Sequence, residues 1–182
     1  MKTWKDRICL FFASAFGLGL MPVAPGSFGA LLGVAMHLGV VWWVVPQYRM
    51  WALLACFVAV CAAHFILTPW AQKYWNDTDP GHFVLDEVAG YLVVPIALMM
   101  ATFDDVWGWG WELAERPYFI AVVGFLLFRI FDIIKLPGAR YIDRNWHGAW
   151  GVLLDDIVSG IYAAVAIWLL PVLLELCGVY VL

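Results

Sequence analysis

Long apolar runs alternate with short polar breaks along this chain, and the runs are of membrane grade. A helix that crosses the hydrocarbon core needs about 20 mostly apolar residues. Five stretches approach that length: Phe28–Val45, Trp51–Thr68, Leu85–Ala101, Pro117–Ile134 and Ile157–Leu176. A sixth, Ile8–Met21, is too short to cross and predicts an interfacial or re-entrant helix that feeds the Pro22–Ser27 turn. The pattern predicts an all-α fold: an integral membrane helical bundle of about five transmembrane helices plus that short N-terminal helix. Residues 1–182 read as a single domain.

Composition agrees. The chain is 65% hydrophobic and 13% charged, where a soluble domain carries about 25% charge. Net charge is −4 with no basic tract, which excludes a nucleic-acid partner and leaves membrane lipids as the surroundings. Cys9, Cys56, Cys61 and Cys177 form no Cys-x-x-Cys pair and lie in or beside apolar stretches, so they read as buried free thiols. Met1 to Arg7 is basic and precedes an apolar run, but no Ala-x-Ala site follows, so the segment is read as retained.

Charge also sets an orientation. With the N-terminus inside, the inner segments hold Lys2, Lys5, Arg7, Lys73, Lys135, Arg140 and Arg144. The outer segments hold only Arg49 and Arg116 among the cations, with Asp104, Asp105, Glu112 and Glu115 as acids. This is the positive-inside distribution. Trp42, Trp43 and the tryptophans at 107, 109 and 111 fit an outer aromatic belt, and Trp70, Trp75, Trp146 and Trp150 an inner one. In this topology the Pro22–Ser27 turn, Asp86-Glu87, Asp132 to Lys135 and Asp155-Asp156 all fall at inner helix ends.

Carboxylates beside hydrocarbon are costly, and a membrane-edge acid is a functional-site candidate by default. Asp86-Glu87-Val88-Ala89-Gly90 and Asp156-Ile157-Val158-Ser159-Gly160 are near-copies that place acids in the first turn of an apolar helix. Acids there can simply complement the macrodipole. The Ala89-Gly90 and Ser159-Gly160 steps would let two helices come close and join the two acidic pairs. Those small-residue faces fit contacts within one chain or between copies, which leaves a homo-oligomer open. Hard divalent cations such as Mg²⁺ take oxygen ligands of this kind, together with phosphate.

Arg129, Asp132 and Lys135 follow at three-residue spacing, hence on one helical face. One reading is an ion pair that neutralises buried charge, with Lys135 reaching to the interface. The other puts Asp132 on a metal and Arg129 or Lys135 on phosphate oxygens. Gly26 and Ser27 lie in a turn that could offer N–H groups to an anion, with Ser27 as N-cap; a plain connecting turn fits equally. The polar loop from Arg140 to Gly148 adds Arg140 and Arg144 as headgroup-binding candidates and His147 as a candidate general acid. His37 and His64 lie inside spans and read as packing residues. There is no Gly-x-Ser-x-Gly elbow and no Asp-x-Asp-x-Thr signature, and a water nucleophile activated by a metal needs neither.

Pro22-x-x-Pro25-Gly26-Ser27-x-Gly29, Asp86-Glu87-x-x-Gly90, Phe128-Arg129-x-x-Asp132-x-x-Lys135 and Gly151-x-x-x-Asp155-Asp156-x-x-x-Gly160 occur in this order. Together they resemble the phosphatidylglycerophosphatase A family, over about Phe16 to Ala164. The resemblance implies a Mg²⁺-dependent phosphatase of the bacterial inner membrane that converts phosphatidylglycerophosphate to phosphatidylglycerol. It implies a site on the cytoplasmic side, with Asp86, Glu87, Asp132, Asp155 and Asp156 as catalytic metal ligands. One departure stands out. The family has Lys-Pro-x-Pro after the third motif, and here the chain reads Lys135-Leu136-Pro137-Gly138, so the aim of Lys135 does not carry over. A different class, a cation-coupled transporter or channel, would use the same carboxylates near the bilayer midplane.

Overall fold

The computed structural model describes residues 3–101 and 116–176. The tryptophans expected at the outer belt at 107–111, the outer acids Asp104, Asp105, Glu112 and Glu115, and Lys2 and Cys177 lie outside the described residues. Among those described there are only helices: α1 Trp4–Ala13, α2 Pro25–Trp43, α3 Arg49–Trp75, α4 Leu85–Ala101, α5 Pro117–Ile134, α6 Pro137–Asn145 and α7 Ala149–Leu176.

Four of them are long and apolar enough to cross a membrane: α2, α3 with its preceding turn, α5 and α7. The fifth expected span, α4, is 17 residues long and forms the centre of the bundle, with most of its residues buried by α2, α3, α5 and α7. Helix α5 occupies the span expected for it.

Helix α1 does not cross. It is 10 residues long, about 15 Å. A reciprocal Thr3–Asp6 capping box starts it. Ala15, Phe16 and Gly17 then take positive φ and turn the chain back. Left-handed backbone is costly for a phenylalanine. Here it is held by Phe16 N–H to Phe11 O at 2.7 Å and Gly17 N–H to Ser14 Oγ at 3.1 Å. Trp70 Nε1 donates to Asp6 at 3.1 Å, and Val84 N–H donates to Ala13 O at 3.3 Å. These bonds tie α1 to α3 and to the residues just before α4.

Two expectations about helix starts are corrected. Ser27 is not an N-cap: α2 begins at Pro25 after Ala24, because proline suits the first helical position, where its missing N–H has no helical acceptor in any case. Helix α7 starts at Ala149, eight residues before the expected Ile157. The break is Gly148 at φ 76, and the residues after it are helical at once. Asp155 and Asp156 therefore sit well inside α7, where capping does not account for them; Asp86 and Glu87 do lie in the first turn of α4. The segment from Arg140 to Gly148, expected as loop, is mostly helix α6, which runs to Asn145 and is again begun by a proline.

Helices α4 and α7 run parallel and touch at their glycines, as their small-residue steps predicted. A Cβ on Gly90 would lie 2.7 Å from the Phe128 ring and 2.9 Å from Asp156 Cβ; one on Gly160 would overlap the Gly90 carbonyl oxygen. His37 and Tyr91, both buried, share a hydrogen bond of 3.0 Å between α2 and α4, and His64 Nε2 meets Ala149 O at 2.9 Å at the start of α7.

Overpacking a helix crossing costs about 1–3 kcal/mol. Gly90→Val is therefore expected to lower the thermal midpoint of the detergent-solubilised protein clearly. Gly39→Ala, where a Cβ meets nothing within 4 Å, should leave it unchanged or slightly raised. Equal midpoints for the two variants would contradict the close crossing.

Candidate active site

Three helices deliver charge to one end of the bundle. The first turn of α4 carries Asp86 and Glu87, the last turns of α5 carry Arg129 and Asp132, and α7 carries Asp155 and Asp156. The α4–α7 crossing sets the spacing. Carboxylate oxygens of Asp86, Glu87 and Asp156 all lie within 4.8 Å of one another. Asp86, Asp155 and Asp156 are buried. Asp86 Oδ1, Glu87 Oε2 and Asp155 Oδ1 are shut off from solvent with no hydrogen-bond donor on the protein. A buried carboxylate oxygen without a donor carries a large desolvation cost, so these atoms are poised for a ligand.

A cavity of about 110 Å³ opens on this cluster, lined by Asp79, Asp86, Glu87, Asp132, Asp155 and Asp156, with Lys135 at its edge. It adjoins a larger cavity of about 360 Å³, whose lining includes Thr78, Asp143, Trp146 and His147. Asp79, Val152 and Asp155 belong to both. All five acids expected at the site line the smaller cavity.

The cations are arranged less uniformly. Arg129 pairs with Asp132 at 2.6 Å, and its buried Nε has no acceptor. Gly26 leaves room for it: a Cβ there would lie 3.0 Å from Arg129 Nη2 and overlap the Glu87 carboxylate. Gly26 thus serves as a small wall behind Glu87 and Arg129, while Ser27 is outside the lining of both cavities. Lys135 caps α5 in a left-handed conformation and reaches Asp155 at 2.9 Å and also Asp143 on α6. Partial burial opposes its charge, but the hydrogen bonds to Asp143 and Asp155 outweigh that and hold its pKa above the usual lysine value. The altered proline pattern therefore still aims Lys135 at the acids, through α6. Arg140 donates to the Ile134 carbonyl at 3.2 Å and caps α5; Arg144 is exposed on α6, and neither lines the cavities. His147 lines only the outer cavity.

Asp79 was not anticipated. It follows Asn76-Asp77-Thr78 and precedes Pro80-Gly81, which reads as a solvated turn. The fold tucks that turn over the acids. Asp79 stays exposed, but desolvation by the surrounding chain raises its pKa, with Lys135 opposing and Asp77, Asp143 and Asp132 adding to the rise. No spacing rule links it to the acids, because its approach depends on how the α3–α4 connection folds back.

Comparison with known proteins gives the family of the chain. The family model for phosphatidylglycerophosphatase A matches residues 11–171. A phosphatidylglycerophosphatase A of Escherichia coli is 32% identical over 154 residues, covering 84% of this chain and 77% of its own. One from Haemophilus influenzae is 32% identical over 160 residues, covering 86% and 84%. A Bacteroides thetaiotaomicron protein, provisionally named a phosphatidylinositol-3-phosphatase, is 33% identical over 165 residues, covering 88% and 94%. No solved structure matches. With the family model spanning nearly the whole bundle and all four motifs meeting at one end of it, the chain belongs to the phosphatidylglycerophosphatase A family.

Proposed function

We propose that the protein removes the terminal phosphomonoester of phosphatidylglycerophosphate, giving phosphatidylglycerol and phosphate, at the cytoplasmic face of a bacterial inner membrane. The observation that carries this reading is the convergence of three carboxylates within 4.8 Å, with buried oxygens lacking donors, beside Arg129. At the same end of the bundle lie Lys5, Arg7, Lys73, Lys135, Arg140 and Arg144, against Arg49 and Arg116 at the other. That asymmetry supports the cytoplasmic side. The relatives' names support the lipid.

A divalent metal fits the donor set. The site is all oxygen, compact and short of hydrogen-bond donors, which suits Mg²⁺. Asp86, Glu87 and Asp156 would hold it, with Asp132 and Asp155 near enough in the cavity lining to complete one or two ions. When bound, Mg²⁺ supplies Lewis-acid polarisation of the phosphoryl group and makes water a better nucleophile near neutral pH.

The remaining roles belong to the chain. Phosphoryl transfer runs through a loose, charge-dispersed transition state, so positioning and electrostatics dominate. Arg129 offers a planar fork to the phosphoryl oxygens, and Asp132 fixes its angle. Lys135, held by Asp155 and Asp143, keeps a positive charge at the cavity edge. Phe83 and Val152 narrow the inner cavity against bulk water. His147, which lines the outer cavity, would serve as the general acid toward the released glycerol oxygen. A transporter would hold its acids near the midplane, whereas these cluster at the bundle end.

The reading is tested by phosphate release from phosphatidylglycerophosphate, phosphatidic acid and phosphatidylinositol 3-phosphate, with Mg²⁺ and with chelator. Chelator-sensitive release, fastest from the first lipid, is expected. Preference for the inositol lipid would transfer the assignment to the chemistry named for the Bacteroides relative, and release from none would end the phosphatase reading.

Asp156→Asn should lower turnover by roughly a thousandfold, the upper range for losing one charge-stabilising group, while the thermal midpoint stays near wild type. An active Asn variant would remove Asp156 from the ligand set. Arg129→Lys keeps the charge but loses the fork, and should cost roughly 10–100-fold in kcat/KM, as expected for one charge-assisted hydrogen bond. Undiminished kcat/KM would leave Arg129 as a counter-ion of Asp132 alone.

A further inference from the structure

A groove of about 240 Å³ runs between α2 and α5 on the membrane-facing side of the bundle. Leu31, Val34 and Leu38 form one wall, and Tyr118, Val122 and Leu126 the other. The two helices are antiparallel, so Leu31 faces the Leu126 end and Leu38 the Tyr118 end. From Leu31 to Leu38 is seven residues, about 10 Å of helix. That is most of the roughly 15 Å depth of one leaflet's hydrocarbon.

The two ends differ. At the far end Trp42 Nε1 donates to Tyr118 OH at 2.9 Å, bridging the helices. At the near end the same helices carry Arg129 and the Gly26 that packs against it. Leu126 is one turn from Arg129, and Leu31 is little more than one turn from Gly26 and Ser27. Gly26 and the Arg129 fork are themselves in close approach. A hydrocarbon slot therefore ends about one turn from a guanidinium, whose partner Asp132 lines the acidic cavity. An acyl chain is the occupant whose chemistry fits both: apolar along its length, and joined to a phosphate at one end.

We propose that the α2–α5 groove is an acyl-chain subsite for the lipid phosphate substrate, with the headgroup at its Arg129 end. This rests on the phosphatase reading above. A second apolar groove, about 280 Å³ between α4 and α7 with Leu98, Ile161, Val165 and Trp168 in its lining, lies toward the opposite end of α4 and does not reach the acids. It takes no substrate chain and provides an internal control.

Val122 and Val165 are both exposed to the lipid side, so each accepts a larger side chain without entering the core. Val122→Trp partly fills the first groove and should raise KM for long-chain phosphatidylglycerophosphate roughly tenfold, the loss expected for about two buried methylenes. Val165→Trp should leave KM unchanged. Equal KM values for the two variants would overturn the proposal.

The second measurement does not depend on turnover. Phosphatidic acid with a photoreactive diazirine in mid-chain is cross-linked to the wild-type protein in phosphatidylcholine bilayers, and the labelled residues are mapped. Labelling concentrated at Leu31, Val34 and Val122, and reduced by unlabelled phosphatidic acid but not by added phosphatidylcholine, is expected. Labelling spread evenly round the bundle, or displaced equally by phosphatidylcholine, would make the groove a contact for bulk lipid and overturn the subsite. Because cross-linking needs no hydrolysis, a wild-type protein inactive on every lipid would sink the phosphatase reading through a different readout.

Discussion

Everything at the site depends on how closely α4 and α7 can approach. Where Gly90 faces Gly160 the two backbones meet with no side chain between them, and Phe128 closes the crossing from α5. That contact brings an acidic pair in the first turn of α4 beside an acidic pair inside α7. Like charges at this spacing repel, and their burial removes the water that would screen them. Packing elsewhere must hold them. The glycine stripe of α2, the apolar face of α5 and the buried side chains of α4 supply that packing.

The charges around the cluster form two layers. Arg129 and Asp132 neutralise each other on α5, and Gly26 keeps α2 out of their way. Lys135 leaves α5 through a left-handed turn and bridges Asp155 to Asp143 on α6. Asp86, Glu87 and Asp155 are each left with one buried oxygen short of donors. Buried carboxylates short of donors cost stability, so their retention in so apolar a chain points to a functional site rather than to packing.

The short connections place this chemistry at the lipid boundary. Helix α1, too short to cross, is hydrogen-bonded to α3 and to Val84, two residues before Asp86. His82 Nδ1 meets Gly19 O at 2.9 Å, a further link between the N-terminal turn and the α4 entry. His64 fixes the start of α7 from within α3. These contacts make the N-terminal segment and two histidines supports of the acidic cluster rather than members of it.

Hydropathy alone determined the all-α membrane bundle and the limits of α4 and α5, because a long apolar segment can satisfy its backbone in a membrane only as a helix. That the five acids meet at one end of the bundle was legible too, because the apolar spans and the cation count put all of them at helix ends on one side. Start points that rest on one backbone torsion were not legible. Gly148 at φ 76 begins α7 two turns early and takes Asp155 and Asp156 out of capping positions, while proline at the first helical position turns an expected loop into α6 and removes Ser27 as a cap. The split of the cations, with Arg129 against Asp132 and Gly26 and Arg140 on a helix end, required the tertiary structure, as did the arrival of Asp79. Such contacts arise from how a loop folds over a packed crossing, and local sequence carries no record of what lies across that gap.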